Sequence, residues 1–371
     1  MDFIQREDHR MLADLLGRYL GDRYPIETRN AAAYGESGYS QDHWSALAEL
    51  GILGALFEEK AGGFGGGGTE IMIVFEQMGR ALAVEPLLGA LMVGRALAIS
   101  GRMEELAGII SGERIPALAH QERHGDSIEA IMTQAVAADG GWRLHGAKTV
   151  VAQAERATTF LVSAQTESGM SLFLVPADSP GLSVRGYLNI EGGRSGDLLL
   201  EGVHCPAGSL IGAAGDGALP LGVAIDGGLL ALAAEALGIM DVLRDMTAEY
   251  LRTRVQFGQK IGTFQALQHR IATLSIEIEQ ARSSVINAAE MLDSTDATAR
   301  VQALSAAKHT IGYAGALVAE DAIQLHGGIG MTWELPLSHY AKRLVMIDHL
   351  LGNQDHHLAQ YAHVMRVQLA G

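Results

Sequence analysis

The chain has very little cysteine: one residue, Cys205, in 371. An internal disulfide is therefore impossible and thiol-rich zinc sites are excluded. The neighbours of Cys205 suggest the end of a strand and a structural role. Positive charge is also scarce. Lysine and arginine number 27 against 43 acidic residues, a net charge of −16, which argues against nucleic acid as a partner and, less strongly, against docking on an anionic membrane surface. No apolar run approaches the length of a membrane span. The opening Met1-Asp-Phe-Ile-Gln-Arg-Glu-Asp8 is charged and has no signal-peptide core, so the expected location is cytoplasmic. There is no internal repeat and no low-complexity tract. What is present, 48% hydrophobic and 19% charged residues, is the composition of a foldable globular protein. The length exceeds one typical core and predicts two or three domains.

The texture of the sequence predicts an α+β multidomain fold in three blocks. Residues 1–115 read as an N-terminal helical domain. Glu7 to Leu20 carries apolar residues near the helical period, and Ser40 is a plausible cap for a helix from Asp42 to Leu50. Gly51 to Phe57 reads as a short extended stretch. It leads into Ala61-Gly-Gly-Phe-Gly-Gly-Gly-Gly-Thr69, which invites a nucleotide-binding reading. No βαβ unit follows, however, so a flexible loop before the helix Glu70 to Leu82 is the better reading. Helices are expected at Val84 to Ser100 and Arg102 to Ser111. Residues 116–215 break into short β-like runs separated by Asp139-Gly-Gly141, Glu167-Ser-Gly169, Ser179-Pro-Gly181 and Glu191-Gly-Gly193, the spacing of an antiparallel barrel or sandwich. Residues 216–371 return to helix as a bundle of four to five: Leu219 to Leu251, Phe264 to Glu290, Thr298 to His326, Pro336 to Leu350 and Gln354 to Leu369.

One stretch, Arg252 to Ala272, joins two of the long helices. Phe257-Gly258 and Ile261-Gly262 give a short turn whose glycines can take positive φ, and Arg252 and Arg254 suit the negative end of the first helix dipole. Two readings stand side by side. One is a helix hairpin with a basic cap. In the other, Arg254 and Phe257 face outward to hold an anionic, aromatic ligand.

Three patterns bear on that choice. They are Arg254-x-x-Phe-Gly followed by Phe264-Gln265, then Gln324-Leu-His-Gly-Gly-Ile-Gly-Met-Thr-Trp-Glu-Leu-Pro336, and Gly146-Ala-Lys148 in the β block, preceded by Thr133-x-Ala135. With the helix–β–helix order, the chain resembles the acyl-CoA dehydrogenase family along essentially its whole length. Within it, the Met-Asp-Phe start and the Gly-Gly-Phe-Gly-Gly loop look most like the small subunit of bacterial pimeloyl-CoA dehydrogenases. The resemblance implies FAD as cofactor, an acyl-CoA substrate, α,β-dehydrogenation and an electron-transfer flavoprotein as electron acceptor. It also implies a homo- or heterotetramer, a dimer of dimers, in which each flavin lies across a subunit boundary. Such chemistry needs a carboxylate base in a dry pocket and donors on the thioester oxygen.

Carried over by motif, Arg254 contacts the FAD pyrophosphate region of the neighbouring subunit, where a permanently charged guanidinium can make paired bonds. Phe257 packs on the adenine end and Gln265 hydrogen-bonds near it. Gln324, Gly327 and Gly328 line the adenosine diphosphate path. Asn353 and Gln354 approach the flavin or its ribityl chain. Taken singly, a helix cap for Arg254, a core ring for Phe257 and a plain helix end for the glycines are the simpler readings. At the family spacing the ligand reading prevails.

The sequence departs from the family pattern at three places. The usual base is a Glu about 24 residues after the first glycine of the Gly-Gly pair; here that position is Leu351, before Gly352-Asn353. The alternative base position, on the long helix before Arg254, is Gly228. The nearest carboxylates are Asp226, about 200° round a helix from it at ~100° per residue, and Asp348; helix-end or turn solvation explains either equally well. Third, the flavin-ring contacts are eroded. His120-Gln-Glu-Arg-His-Gly-Asp-Ser127 replaces the usual Thr-Glu-Pro and its glycine-rich loop, and Val151-Ala152-Gln153 replaces Ile-Thr-Asn. The residues implied to serve a neighbour's FAD are kept, and many that would serve the chain's own are lost.

Three functions follow: a non-catalytic partner completing another subunit's FAD site, a self-sufficient dehydrogenase using Asp226 or Asp348, or a flavin-free binding module. His120, Glu122 and His124 lack further ligands for zinc. Lys342 and Arg343 read either as CoA-phosphate contacts or as a solvated helix face.

Overall fold

The computed structural model describes residues 6–123, 125 and 130–370. Twelve α-helices and ten strands lie among them. The described residues fall into two compact units, one drawn from 6–29, 67–83 and 229–370, the other from 30–66 and the described part of 84–228. The division passes within α2 (Ile26–Ala33) and α8 (Ala218–Thr253).

The first unit is helical. α1 (Glu7–Arg23) and α5 (Gly68–Ala81) lie against each other, and α5 packs on α9 (Gln265–Met291). α10 (Ala297–His326) is central, contacting α9, α11 (Leu337–His349) and α12 (Gln354–Ala370). Asp296 starts α10, its carboxylate accepting from the Thr298 and Ala299 N–H groups at 2.9 and 3.1 Å, a direct N-cap. The crossing of α5 and α8 is close because it runs through glycine. A Cβ on Gly79 would lie 2.1 Å from the Glu235 carbonyl oxygen, and one on Gly238 would lie 2.1 Å from that of Glu76. Beside this crossing the buried Asp241 meets Arg80, Arg244 and Arg282 at 2.8–3.3 Å.

α8 also corrects an expectation. It is long and apolar enough to cross a membrane, with a mean hydropathy of 1.7 over 18 residues, but 83% of that window is buried inside the protein. Leu229 through Met240 is buried without interruption, the mark of a helix at the centre of a core.

The second unit holds α3 (Gln41–Glu49), α4 (Ile52–Ala55), α6 (Leu87–Ile99), α7 (Met103–Ile110) and one eight-stranded sheet. Ser40 caps α3 as expected, its hydroxyl accepting from His43 N–H at 3.3 Å. Residues 52–55 form the short helix α4, where the sequence predicts an extended stretch. The glycine run is packed, whereas the sequence suggests a flexible loop. Gly66 N–H reaches Ala55 O at 3.0 Å, Gly65 N–H reaches Phe57 O at 3.1 Å, and a Cβ on Gly63 would lie 2.0 Å from Phe57 O.

The strands are β1 (Pro116–Ala119), β2 (Gln134–Ala138), β3 (Gly141–Ala152), β4 (Thr159–Thr166), β5 (Gly169–Pro176), β6 (Leu182–Leu188), β7 (Arg194–Pro206) and β8 (Leu210–Ile211). Their order is β6-β7-β3-β2-β4-β5-β8, with β1 added beside β4. The sheet is antiparallel except where β4 meets β1 and β2 in parallel. Its core contains Leu144, Phe160, Phe173, Val203 and Cys205, with Trp142 edge-on to Phe173. Cys205 is buried near the end of β7, and burial pushes its thiol up to about 11.

Candidate functional site

The stretch from Arg252 onward forms a small ribbon at the end of α8. β9 (Val255–Gln256) pairs antiparallel with β10 (Gln259–Lys260). The two residues between them, Phe257 and Gly258, have φ of 53° and 78°. Positive φ at both positions is the primed turn whose twist suits a hairpin. Glycine accepts it freely; phenylalanine does so at a cost of about 1–2 kcal/mol. The Phe257 ring is nevertheless 89% exposed, touching Phe264 edge-on at 6.2 Å. It is not a core ring. Gly262 serves differently from the expectation: its φ is not positive, and its missing side chain admits the Leu251 carbonyl, which a Cβ would approach to 2.7 Å. The exposed Arg254 guanidinium has no hydrogen-bond or ion-pair partner among the described residues.

α10 ends beside this ribbon. Its last residue, His326, is buried and stacks on Tyr250 of α8 with ring centroids 4.4 Å apart and planes 25° from parallel. Burial lowers the His326 pKa, opposed by its hydrogen bond to Ala322 O at 2.8 Å. The chain then turns at Gly327 (φ 67°) into a single 3-10 turn, Gly327–Met331. Gly327 and Gly328 are exposed, and nothing lies within 4 Å of where their side chains would be. Gln324 and Gln265, the first residue of α9, are exposed as well. Arg270 and Asp321 link α9 to α10 in an ion pair.

Asn353 lies elsewhere. The turn between α11 and α12 packs near Gly312, where a Cβ would lie 2.3 Å from Asp348 Oδ1. Gly312 to Gly327 is fifteen residues of helix, about 22 Å at 1.5 Å per residue. Arg254, Phe257, Gln265, Gln324, Gly327 and Gly328 thus belong to the helix ends, and Asn353 to a separate turn.

That turn is tightly built. Asp348 Oδ1 accepts from Gln354 N–H at 2.9 Å. The buried Lys308 donates to the Asp348 and Gly352 carbonyls at 2.9 and 2.7 Å, and burial pushes its ammonium down to about 8. Leu351, where the sequence resemblance expects the base, has φ 56° and Gly352 has φ 89°. His357 Nε2 hydrogen-bonds Leu351 O at 2.8 Å. Nearby, Arg343 pairs with Glu235 at 2.7 and 2.8 Å and Lys342 stands over the Trp333 ring at 4.5 Å, so both cations face protein partners.

In the second unit, Asp226 is half-buried on α8 and Gly228 is buried. Gly227 carries the Arg95 side chain, whose Cδ a Cβ would approach to 2.6 Å. Lys148, central to the third sequence pattern, is 0% exposed. It donates to Glu122 Oε1 at 2.7 Å, Ser163 Oγ at 3.0 Å and His120 O at 3.3 Å. Burial pushes its ammonium down to about 8, against the pull of Glu122. Glu122 also accepts from Met132 N–H and from Thr133 through both N–H and Oγ1. Burial raises its pKa, but these bonds outweigh burial and hold it below the usual value. His120 meets Ser163 Oγ at 2.9 Å. His124 and the segment 126–129 lie outside the described residues. No metal-binding group of three side chains exists among the described residues.

The residues at the helix ends fit the adenosine diphosphate half of FAD: an unpaired guanidinium, an open aromatic face, two exposed amides and a side-chain-free shelf. The β-domain residues fit the ring half less well. Ala152 is exposed and offers no hydroxyl. Gln153 turns its amide inward to Gly38 O and Val84 O, at 3.1 and 3.0 Å, with Oε1 buried and unpartnered among the described residues.

Family models described as acyl-CoA dehydrogenase N-terminal, middle and C-terminal domains match residues 6–105, 117–203 and 221–365. Acyl-CoA dehydrogenase FadE27 of Mycobacterium tuberculosis is 32% identical over 92% of both chains. Among solved structures, a variant of the Tcur3481-Tcur3483 steroid ACAD is 32% identical, with TM-score 0.89 over 98% of this chain and 99% of that one. The ChsE4-ChsE5 complex of Mycobacterium tuberculosis is 28% identical, with TM-score 0.90 over 99% of each chain. With matches along its whole length and a relative of matching length at this identity, the chain belongs to the acyl-CoA dehydrogenase family, FAD-dependent oxidoreductases acting on acyl-CoA.

Proposed function

We propose that this chain is the non-catalytic subunit of a heteromeric acyl-CoA dehydrogenase, completing an FAD site whose base belongs to a partner of the same family. The observation that carries this reading is Leu351 at the base position, with the nearby Asp348 committed to the first N–H of α12. Leucine cannot accept a proton, and a carboxylate already accepting a backbone bond is a poorer base.

In this reading the chain binds and orients. Arg254 neutralises diphosphate charge, Phe257 covers the adenine, and Gln265 and Gln324 offer amide donors beside the open glycine shelf. FAD, when bound, supplies the hydride acceptor. The partner's carboxylate removes the α-proton of the thioester, and electrons pass on to an electron-transfer flavoprotein. One solved relative described as the ChsE4-ChsE5 complex, and a second named as the pair Tcur3481-Tcur3483, support a heteromer. One of them, described as a steroid ACAD, favours a ring-bearing or otherwise bulky acyl group.

The test is purification of this chain alone and of the assembly captured through a tag on it in its native host. The expected result is little FAD and no acyl-CoA oxidation for the lone chain, with both restored in an assembly that contains a second family member. Stoichiometric FAD and turnover by the lone chain would overturn the proposal.

A further inference from the structure

We infer that Tyr250 and His326 are positioning residues. Their stack is the joint that holds the Arg254–Phe257 ribbon and the Gln324–Gly328 shelf in register, so that the two grip one ligand. This inference rests on the reading of that surface as an FAD surface.

Each half is rigid at its own root. On the ribbon side, Arg254 N–H donates to Tyr250 O and Ile261 N–H to Arg254 O, both at 2.9 Å. Gly262 sits against Leu251 O, and the Gln268 amide donates to Gly262 O at 2.9 Å. On the shelf side, the Gly327 N–H closes onto the last carbonyls of α10. Gly330 is buried so close to Ile323 O that a Cβ would lie 2.8 Å away, and His326 is fixed by its bond to Ala322 O.

The halves belong to different helices, and the stack bridges them at their ends. Tyr250 lies one helical turn before Arg254, and His326 is bonded directly to Gly327. A displacement of either ring therefore moves a ligand-facing residue on its own side. Offset aromatic pairs hold preferred geometry as well as contributing energy. The Arg270–Asp321 pair braces α9 against α10 on the flank but does not reach the ribbon residues.

The test uses the FAD-containing assembly captured from the native host through a tag on this chain, carrying one variant at a time. FAD is removed and its rebinding followed by flavin fluorescence. Tyr250→Ala and His326→Ala are expected to raise the FAD Kd about tenfold. Tyr250→Phe and His326→Phe, which keep a stack, should stay within about threefold of wild type. With FAD saturating, the acyl-CoA KM should be unchanged in all four. Arg254→Ala is the control for the underlying reading. If it raises Kd while the two alanine variants leave it unaltered, the joint is refuted and the reading survives. If His326→Phe binds as weakly as His326→Ala, stacking is refuted. If Arg254→Ala itself has no effect, the reading of the surface falls. Should Tyr250→Ala fail to assemble, the His326→Phe and His326→Ala comparison decides.

Discussion

Asp348 Oδ1 accepts a hydrogen bond from the Gln354 N–H at 2.9 Å, so this carboxylate, three residues before Leu351, works as a cap on the first N–H of the last helix. Asp348→Asn keeps an acceptor oxygen and should leave stability nearly unchanged. Asp348→Ala should cost about 1 kcal/mol in urea denaturation. The double variant Asp226→Asn/Asp348→Asn should leave acyl-CoA turnover of the assembly within about twofold of wild type. Loss of turnover would place the base in this chain after all.

Phe257 pays in backbone strain for its place on the surface. Phe257→Asn puts Asn-Gly, the preferred pair, in the same primed turn. The melting temperature should rise slightly, by an amount equivalent to about 1 kcal/mol or less, while FAD affinity of the assembly falls. A gain in stability with affinity intact would show that the ring has no ligand to cover.

The two buried lysines give a pH signature. Lys148 and Lys308 are both pushed down to about 8 by burial, below the roughly 10.4 of an unfolded chain. Between these values the unfolded state holds protons that the folded state has released, so stability rises with pH. Below pH ~8 both states are protonated and the unfavourable contribution is constant, at most roughly 3 kcal/mol for each lysine. Lys308→Met should flatten the rise in the urea midpoint between about pH 8 and 10. An unchanged slope would show that Lys308 does not titrate in that window.

Glu122 has the opposite sign. Its pKa is held low in the folded protein, so its contribution is present above the unfolded value of about 4.3 and is lost as pH falls through the folded one. Removing its partner is more severe than titrating it. Lys148→Met leaves a buried carboxylate without its cation and should cost about 3–5 kcal/mol by denaturant unfolding.

The crossing of α5 and α8 offers a stringent packing test. Gly238→Ala places a methyl 2.1 Å from the Glu76 carbonyl oxygen, and backbone on both sides must shift. A loss of several kcal/mol or failure to fold is expected from such overpacking. A melting temperature within a degree of wild type would show that the helices can separate freely.

Long amphipathic or apolar segments were legible because their period and caps are local. The helices from Ala218 onward agree with expectation to within a residue or two, and Ser40 is a cap in sequence and in structure. Short segments were not. Ile52–Ala55 is an apolar run too brief for periodicity to separate helix from strand, and Ile26–Ala33 carries one large apolar residue and so no periodic signal. The parallel pairing of β1 with β4 joins residues more than forty apart, beyond any local pattern. At the candidate site, the motif spacing singles out Arg254, Phe257 and the two glycines as candidates, but nothing in it reveals that Tyr250 and His326 stack. The Glu122–Lys148 and Glu235–Arg343 pairs were likewise invisible, since charge complementarity 26 and 108 residues apart leaves no trace in sequence.

The exposed Phe257 ring has a consequence for handling the protein. On the proposed reading, a cofactor surface finished only by a second polypeptide ties flavin retention to subunit association, so the two obey one mass-action law. Colour would then fade on dilution as well as on dialysis, and excess FAD would hold the subunits together.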